Sequence, residues 1–202
     1  MANVVKSRRE KSEHGRGLER PAKVSGVGRQ RRTKTDAGGG PVNGRPSQVI
    51  SYKRSEGVQR FVRAIRNATP MQLVEVERTG VSGVLLKDMA RQINIPVLRL
   101  YDIVGVPKAT AEKKASGNEV IAGAGGQAAI GMARLLGIAQ AIVDNSTSAL
   151  ARDFDAAQWL GRWIELPQPA LGGRRPADLL DTPTGINVVA RVLGAIESGA
   201  FV

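Results

Sequence analysis

The chain has 202 residues, with 30 Lys and Arg against 18 Asp and Glu, a formal net charge of +12 and a pI near 10.8. That length makes one or two small domains, and the charge points to a polyanionic partner, nucleic acid first. There is no cysteine and a single histidine, His14, which excludes disulfides and thiolate chemistry and leaves no basis for a His-based triad or a His-ligated metal.

No apolar run approaches the ~20 residues that cross a bilayer, and the basic N-terminus lacks the apolar core of a secretory signal. A cytosolic protein with no membrane partner is expected. Residues 1–48 carry 12 Lys and Arg against 4 Asp and Glu, and Gly38-Gly39-Gly40-Pro41 lies near their end. With almost no large apolar side chains, this stretch cannot offset its ordering entropy, so a disordered basic arm is expected. Such an arm can touch phosphates non-specifically, or be a solvated tail, or lie upstream of a start at Met71. In residues 49–68, Phe61, Val62 and Ile65 fall at helical spacing; the reading is a marginal basic helix serving as a linker.

The folded part opens at Thr69-Pro70, an N-cap followed by proline at the first helical position. The short element that follows runs to Arg78 and stops at Gly80, with Val74 and Val76 leaving a strand open. Three short helices are predicted over 82–93, 96–104 and 108–116. Leu85, Met89 and Ile93 line the first, and Val97, Leu100, Tyr101 and Val104 keep helical register in the second. A longer helix over 126–145 carries Met132, Leu135, Leu136, Ala139, Ile142 and Val143 on one stripe. Another over 155–164 faces inward through Trp159, Leu160 and Trp163. A Pro/Gly loop over 167–173, a turn over 176–180 and a last helix over 183–198 complete an all-α fold. The expected division is a helix-turn-helix DNA-binding region over 69–122 and a helical domain over 123–202.

The second and third of the short helices are joined by Gly105-Val106-Pro107, the short Gly-containing turn of a helix-turn-helix. The third helix offers Lys108, Thr110, Lys113 and Lys114 to a DNA groove and its phosphates. It has no Arg, Asn or Gln, the usual bidentate base readers, and an ordinary hairpin with a solvated lysine face is the alternative. The run Gly123-Ala124-Gly125-Gly126-Gln127-Ala128 fits a dinucleotide fingerprint, with Asp144 downstream. Only Val120 and Ile121 could supply the preceding strand, however, and no βαβ unit follows. A small-residue entry into a closely packed helix is the preferred reading, and no cofactor is expected. Trp159 and Trp163 read as core or as a partner hot spot. Asp178 and Asp181 read as turn and cap residues, so no catalytic group is assigned.

From Trp159 onward, the blocks Pro169-Ala170-Leu171-Gly172-Gly173 and Asp178-Leu179-Leu180-Asp181-Thr182, followed by Gly185, Val189, Leu193, Ile196, Glu197 and Gly199, resemble the toxin-binding domain of Xre/MbcA/ParS antitoxins. Upstream, Gly80 to Lys114 resembles the Xre-type helix-turn-helix of the same family. The resemblance covers roughly residues 70–202 and implies a homodimer built through the C-terminal domain. It also implies neutralisation of a toxin, commonly an NAD-degrading RES-domain toxin, and repression of the operon through operator DNA. By the same resemblance, Phe201 and Val202 occlude the toxin's active-site mouth, with Gly172, Gly173, Arg174 and Arg175 as the second contact. A stand-alone DNA-binding regulator that has lost its toxin is the rival reading.

Overall fold

The computed structural model describes residues 49–147, 151 and 153–197. The basic arm over 1–48, and Phe201 and Val202, lie outside the described residues. Eight α-helices occur among those described: α1 Gly57–Arg66, α2 Pro70–Thr79, α3 Gly83–Gln92, α4 Val97–Ile103, α5 Lys108–Ser116, α6 Gly123–Asp144, α7 Ala156–Trp163 and α8 Pro183–Glu197. The only strands among those residues are β1 Val81–Ser82 and β2 Val120–Ile121, paired antiparallel with Val81 opposite Ile121. The all-α expectation holds.

Local chemistry explains where most helices start and stop. Thr69 and Gln72 form a full capping box: the Thr69 hydroxyl accepts from the Gln72 amide at 3.3 Å and the Gln72 side chain accepts from the Thr69 amide at 2.9 Å. Two orphan donors are satisfied at once, which makes α2 a helix and removes the strand that Val74 and Val76 left open. The Ser82 hydroxyl accepts from Val84 N at 3.4 Å at the start of α3. Asp155 accepts from the amides of Ala157 and Gln158, both at 3.0 Å, at the start of α7. At their C-termini, α3, α4 and α5 share one device. A residue with positive φ follows each helix (Asn94 at 56°, Gly105 at 64°, Asn118 at 50°). The next amide then bonds back to the carbonyl five residues earlier: Ile95 to Ala90 at 3.0 Å, Val106 to Tyr101 at 2.9 Å, Glu119 to Lys114 at 2.8 Å. These left-handed caps end the helices sharply and set the two turns between them.

One apolar core runs through the described residues from Tyr52 to Leu193. At its centre is α6, which packs against α1, α2, α7 and α8. It begins at Gly123, three residues earlier than the periodicity indicated. Its 22 residues are long and apolar enough to cross a membrane by length and composition, which corrects the expectation that no such run exists. The reason for its apolarity is core burial: Ala129, Ile130, Met132, Ala133, Leu135 and Leu136 are fully enclosed.

The segment expected to be a marginal linker is an integral part of this core. Val58, Phe61, Val62 and Ile65 of α1 are buried and α1 packs on α6. Just upstream, the Tyr52 ring meets Phe61 edge-on at 5.9 Å, and its hydroxyl donates to Asp88 at 2.5 Å. Burial first, and that hydrogen bond second, push the Tyr52 phenol up. Four apolar positions in a polar segment suffice because α6 supplies the surface they need.

The fit between α7 and the turn after α3 is tight. A Cβ at Gly161 would overlap the Ile93 carbonyl oxygen and approach its carbon to 3.0 Å. Because backbone cannot rotate away as a side chain can, Gly161→Ala is expected to cost about 1–3 kcal/mol, lowering Tm by several degrees in a chain of this size. Thermal melting followed by far-UV circular dichroism checks this; a wild-type melting curve would show that α7 and the 93–95 turn part without cost.

Candidate functional site

Two surfaces carry the residues singled out from sequence. The first is the segment joining α7 to α8. Its base is fixed where Ala177 N donates to Ile164 O at 2.8 Å. Above that, Gln168 N donates to Arg174 O at 3.0 Å, and Gln168 O accepts from both Leu171 N at 2.9 Å and Gly173 N at 3.0 Å. The chain turns through a 3-10 helix at Pro169–Leu171 and leaves it with Gly172 at φ 63° and Gly173 at φ 78°. Nothing lies within 4 Å of where a Cβ would sit on either glycine. Their requirement is therefore conformational, not spatial, and the loop tip is open to a partner. Gly172, Gly173, Arg174 and Arg175 are all exposed there.

The two arginines differ, which the sequence did not indicate. Arg175 donates to both oxygens of Asp178, at 2.7 and 3.1 Å, and lies 3.7 Å from Glu165. Glu165 in turn accepts two bonds from Arg99 of α4, at 2.7 and 3.0 Å. The Arg175 bond holds the Asp178 carboxyl below the usual carboxylate range, and the bonds to Asp178 and Glu165 raise the Arg175 and Arg99 guanidiniums respectively. Arg175 is thus committed to holding the loop against α4 and α7, whereas Arg174 forms no ion pair among the described residues and presents a free fork. Arg99 and Glu165 were missed as positioning residues. They lie 66 positions apart, and no local pattern relates them. Asp178 is a turn residue as read, but the α8 cap falls one residue beyond Asp181: the Thr182 hydroxyl accepts from Gly185 N at 3.1 Å.

The second surface is the outer side of α5. Ala111 is its one buried residue among those described, and Lys108, Thr110 and Lys113 are exposed. Lys114 is different: it is partly covered and paired with Glu119 at 2.6 Å. Inward, Glu112 accepts from Lys87 of α3 at 2.6 Å and from the Tyr101 hydroxyl at 3.1 Å. These bonds, Lys87 first, lower the Glu112 carboxyl, while burial and Glu112 together push the Tyr101 phenol up to about 12. They fix α5 on α3 and α4 with its lysine side outward. The loop and α5 are separate surfaces, linked through α4.

Two glycines at the start of α6, Gly125 and Gly126, face the protein's own atoms. A Cβ on Gly126 would overlap the Ile121 carbonyl and one on Gly125 the Val106 side chain. Val120 and Ile121 do form a strand, but it is antiparallel to β1, so the context that a dinucleotide site needs is not built here. Trp159 and Trp163 stack at 5.8 Å, with Trp163 buried and Phe154 leaning on Trp159 at 6.1 Å. The pair is mainly core, with one exposed edge.

Known proteins match this sequence. The family described as antitoxin Xre/MbcA/ParS C-terminal toxin-binding domain matches residues 149–199, a stretch that takes in α7, the Gly172–Arg175 loop and α8. A curated relative, the Prs ADP-ribosylating antitoxin of Sphingobium sp. (strain YBL2), is 35% identical over 139 residues, covering 69% of this chain and 86% of its own length. With the loop blocks, the helical core and this extent of identity in agreement, the chain belongs to the Xre/MbcA/ParS antitoxins.

Proposed function

We propose that this antitoxin neutralises its toxin by direct contact through the Gly172–Arg175 loop and the C-terminal residues Phe201 and Val202, and represses its own operon through α5. The observation that carries the reading is the loop itself. It lies inside the matched toxin-binding stretch, is braced by its own hydrogen bonds, and presents the free guanidinium of Arg174. A preorganised tip loses little entropy on binding, and an arginine fork suits a carboxylate or phosphate on the partner. The chain acts by binding and not by catalysis.

The proposed toxin is of the NAD-degrading RES-domain class. The name of the Sphingobium relative speaks of ADP-ribosylation, a transfer for which NAD is the usual donor, so NAD chemistry is common to both. On the DNA side, Lys108, Thr110 and Lys113 would face the groove, with Lys114 contributing once it leaves Glu119. A homodimer formed through the 123–202 half would place two α5 helices on half-sites about 34 Å apart, with 69–122 as the DNA-binding part. Both partners belong in the cytosol.

Co-expression with the product of the neighbouring gene tests the first half. If that product arrests growth, the wild-type chain restores it, and Arg174→Glu restores it poorly, with affinity lowered at least tenfold, about 1.4 kcal/mol or more. Full rescue by Arg174→Glu would move the contact elsewhere in 149–199. Removing Phe201 and Val202 is expected to weaken toxin inhibition while leaving operator binding intact; equal loss of both would make the tail a stabilising element only. For the DNA half, Lys108→Glu with Lys113→Glu is expected to reduce operator binding more than tenfold at low salt and to leave growth rescue unchanged. Undiminished operator binding would remove α5 from the DNA interface.

A further inference from the structure

The positive charge of this chain lies almost entirely away from α5. Residues 1–70 hold 17 of the 30 Lys and Arg and 5 of the 18 Asp and Glu, a net of +12. Residues 71–202 hold 13 of each and are neutral. Around α5 the balance is visible as pairs: Lys87 with Glu112 and Lys114 with Glu119. Most of the salt-dependent attraction to a polyanion, which scales with the number of phosphates neutralised, then comes from the N-terminal third.

Within that third, the described residues carry five Lys and Arg, and three of them share the outer side of α1. Its inner side is Val58, Phe61, Val62 and Ile65, all buried. Its outer side is Arg60, Arg63 and Arg66, all exposed, spaced three apart. At about 1.5 Å rise per residue the three span about 9 Å of helix axis, a length over which one DNA strand offers about three phosphates. Arg60 pairs with Glu56 at 3.1 Å and Arg66 with Asp144 at 3.3 Å. In each pair one side chain is well exposed and the other about a third exposed, so the contacts are weak and a phosphate can replace them. Arg63 has no ion pair among the described residues. A membrane surface fits poorly, because an interfacial helix needs its apolar face free for lipid and that of α1 is spent in the core. The sequence adds to this: residues 1–48, at net +8, precede the element in the chain.

We propose that Arg60, Arg63 and Arg66 on the outer face of α1 form a phosphate-backbone site for duplex DNA. The site is distinct from α5 and supplies the sequence-independent part of the affinity. It shares with the reading above only the premise that the chain binds duplex DNA. Under this division α5 selects the operator and α1 holds the duplex.

The test uses the full chain and two short duplexes, the promoter segment of its own operon and an unrelated sequence, with salt varied from about 50 to about 200 mM. The variant carrying Arg60→Gln, Arg63→Gln and Arg66→Gln is expected to lose affinity for both duplexes alike. Its slope of log affinity against log salt should flatten by about 2.7, at ~0.9 per contact, while toxin neutralisation is kept. Arg63→Gln alone, at an exposed unpaired position, should flatten it by about 0.9 and decides the matter should the triple variant melt early. Unchanged slopes overturn the proposal. So does binding to vesicles rich in anionic phospholipid that falls with the arginines while duplex binding does not, or a wild-type chain that binds neither duplex. The α5 reading fails separately: if Lys108→Glu with Lys113→Glu leaves discrimination between the two duplexes intact while the α1 variant flattens the slope, α1 stands without α5.

Discussion

A helix that is apolar on most of its sides can exist in water only if other helices cover it, and that constraint organises this protein. The middle of α6 has almost no polar stripe, so α1, α2, α7 and α8 must all lie on it. This explains why a basic segment such as α1 belongs to the core, and why the toxin-binding stretch is continuous with the upstream helices. It also fixes the places where function can sit. With the inner sides of α1, α2, α7 and α8 committed to α6, partners are left the outward-facing side chains, among them the lysines of α5, the arginines of α1 and the loop between α7 and α8.

Electrostatics then separates braced charges from available ones. Arg99, Glu165, Arg175 and Asp178 form a chain of bonds that ties the loop to α4. Glu112, Lys87 and Tyr101 do the same between α3, α4 and α5. Groups within these chains set geometry, and exposed cations with no ion pair among the described residues, such as Arg174, Arg63, Lys108 and Lys113, are the freest to exchange water for a ligand. Charge counting alone does not make this distinction, since adjacent residues such as Arg174 and Arg175, or Lys113 and Lys114, fall on opposite sides of it.

Much of the fold was legible because its signals are local. Thr69-Pro70 and Ser82 are caps that read directly from sequence, as are the breaks at Asn94, Gly105 and Gly117, and the α4 register of Val97, Leu100, Tyr101 and Val104. What escaped was non-local. The linker reading of 49–68 failed because four apolar residues look marginal until α6 lies beside them. The start of α6 was set three residues late because glycines score as helix breakers, although here Gly125 and Gly126 are demanded by contact with Val106 and Ile121. At the loop, the glycines and arginines were found from motif blocks, but Arg99 and Glu165 carry no short-range signature.

The burial of α6 bears on how long the protein survives. When its covering helices open, 22 residues of nearly uncharged helix meet solvent, a stretch that resembles a membrane segment in composition. Such a surface attracts proteases, chaperones and other open chains. Where opening and reclosing are fast relative to cleavage, degradation tracks the fraction of molecules that are open. Any partner that binds only the closed form lowers that fraction by mass action. The lifetime of the free chain and of the bound chain should therefore differ through the exposure of one helix, and abundance becomes a readout of occupancy.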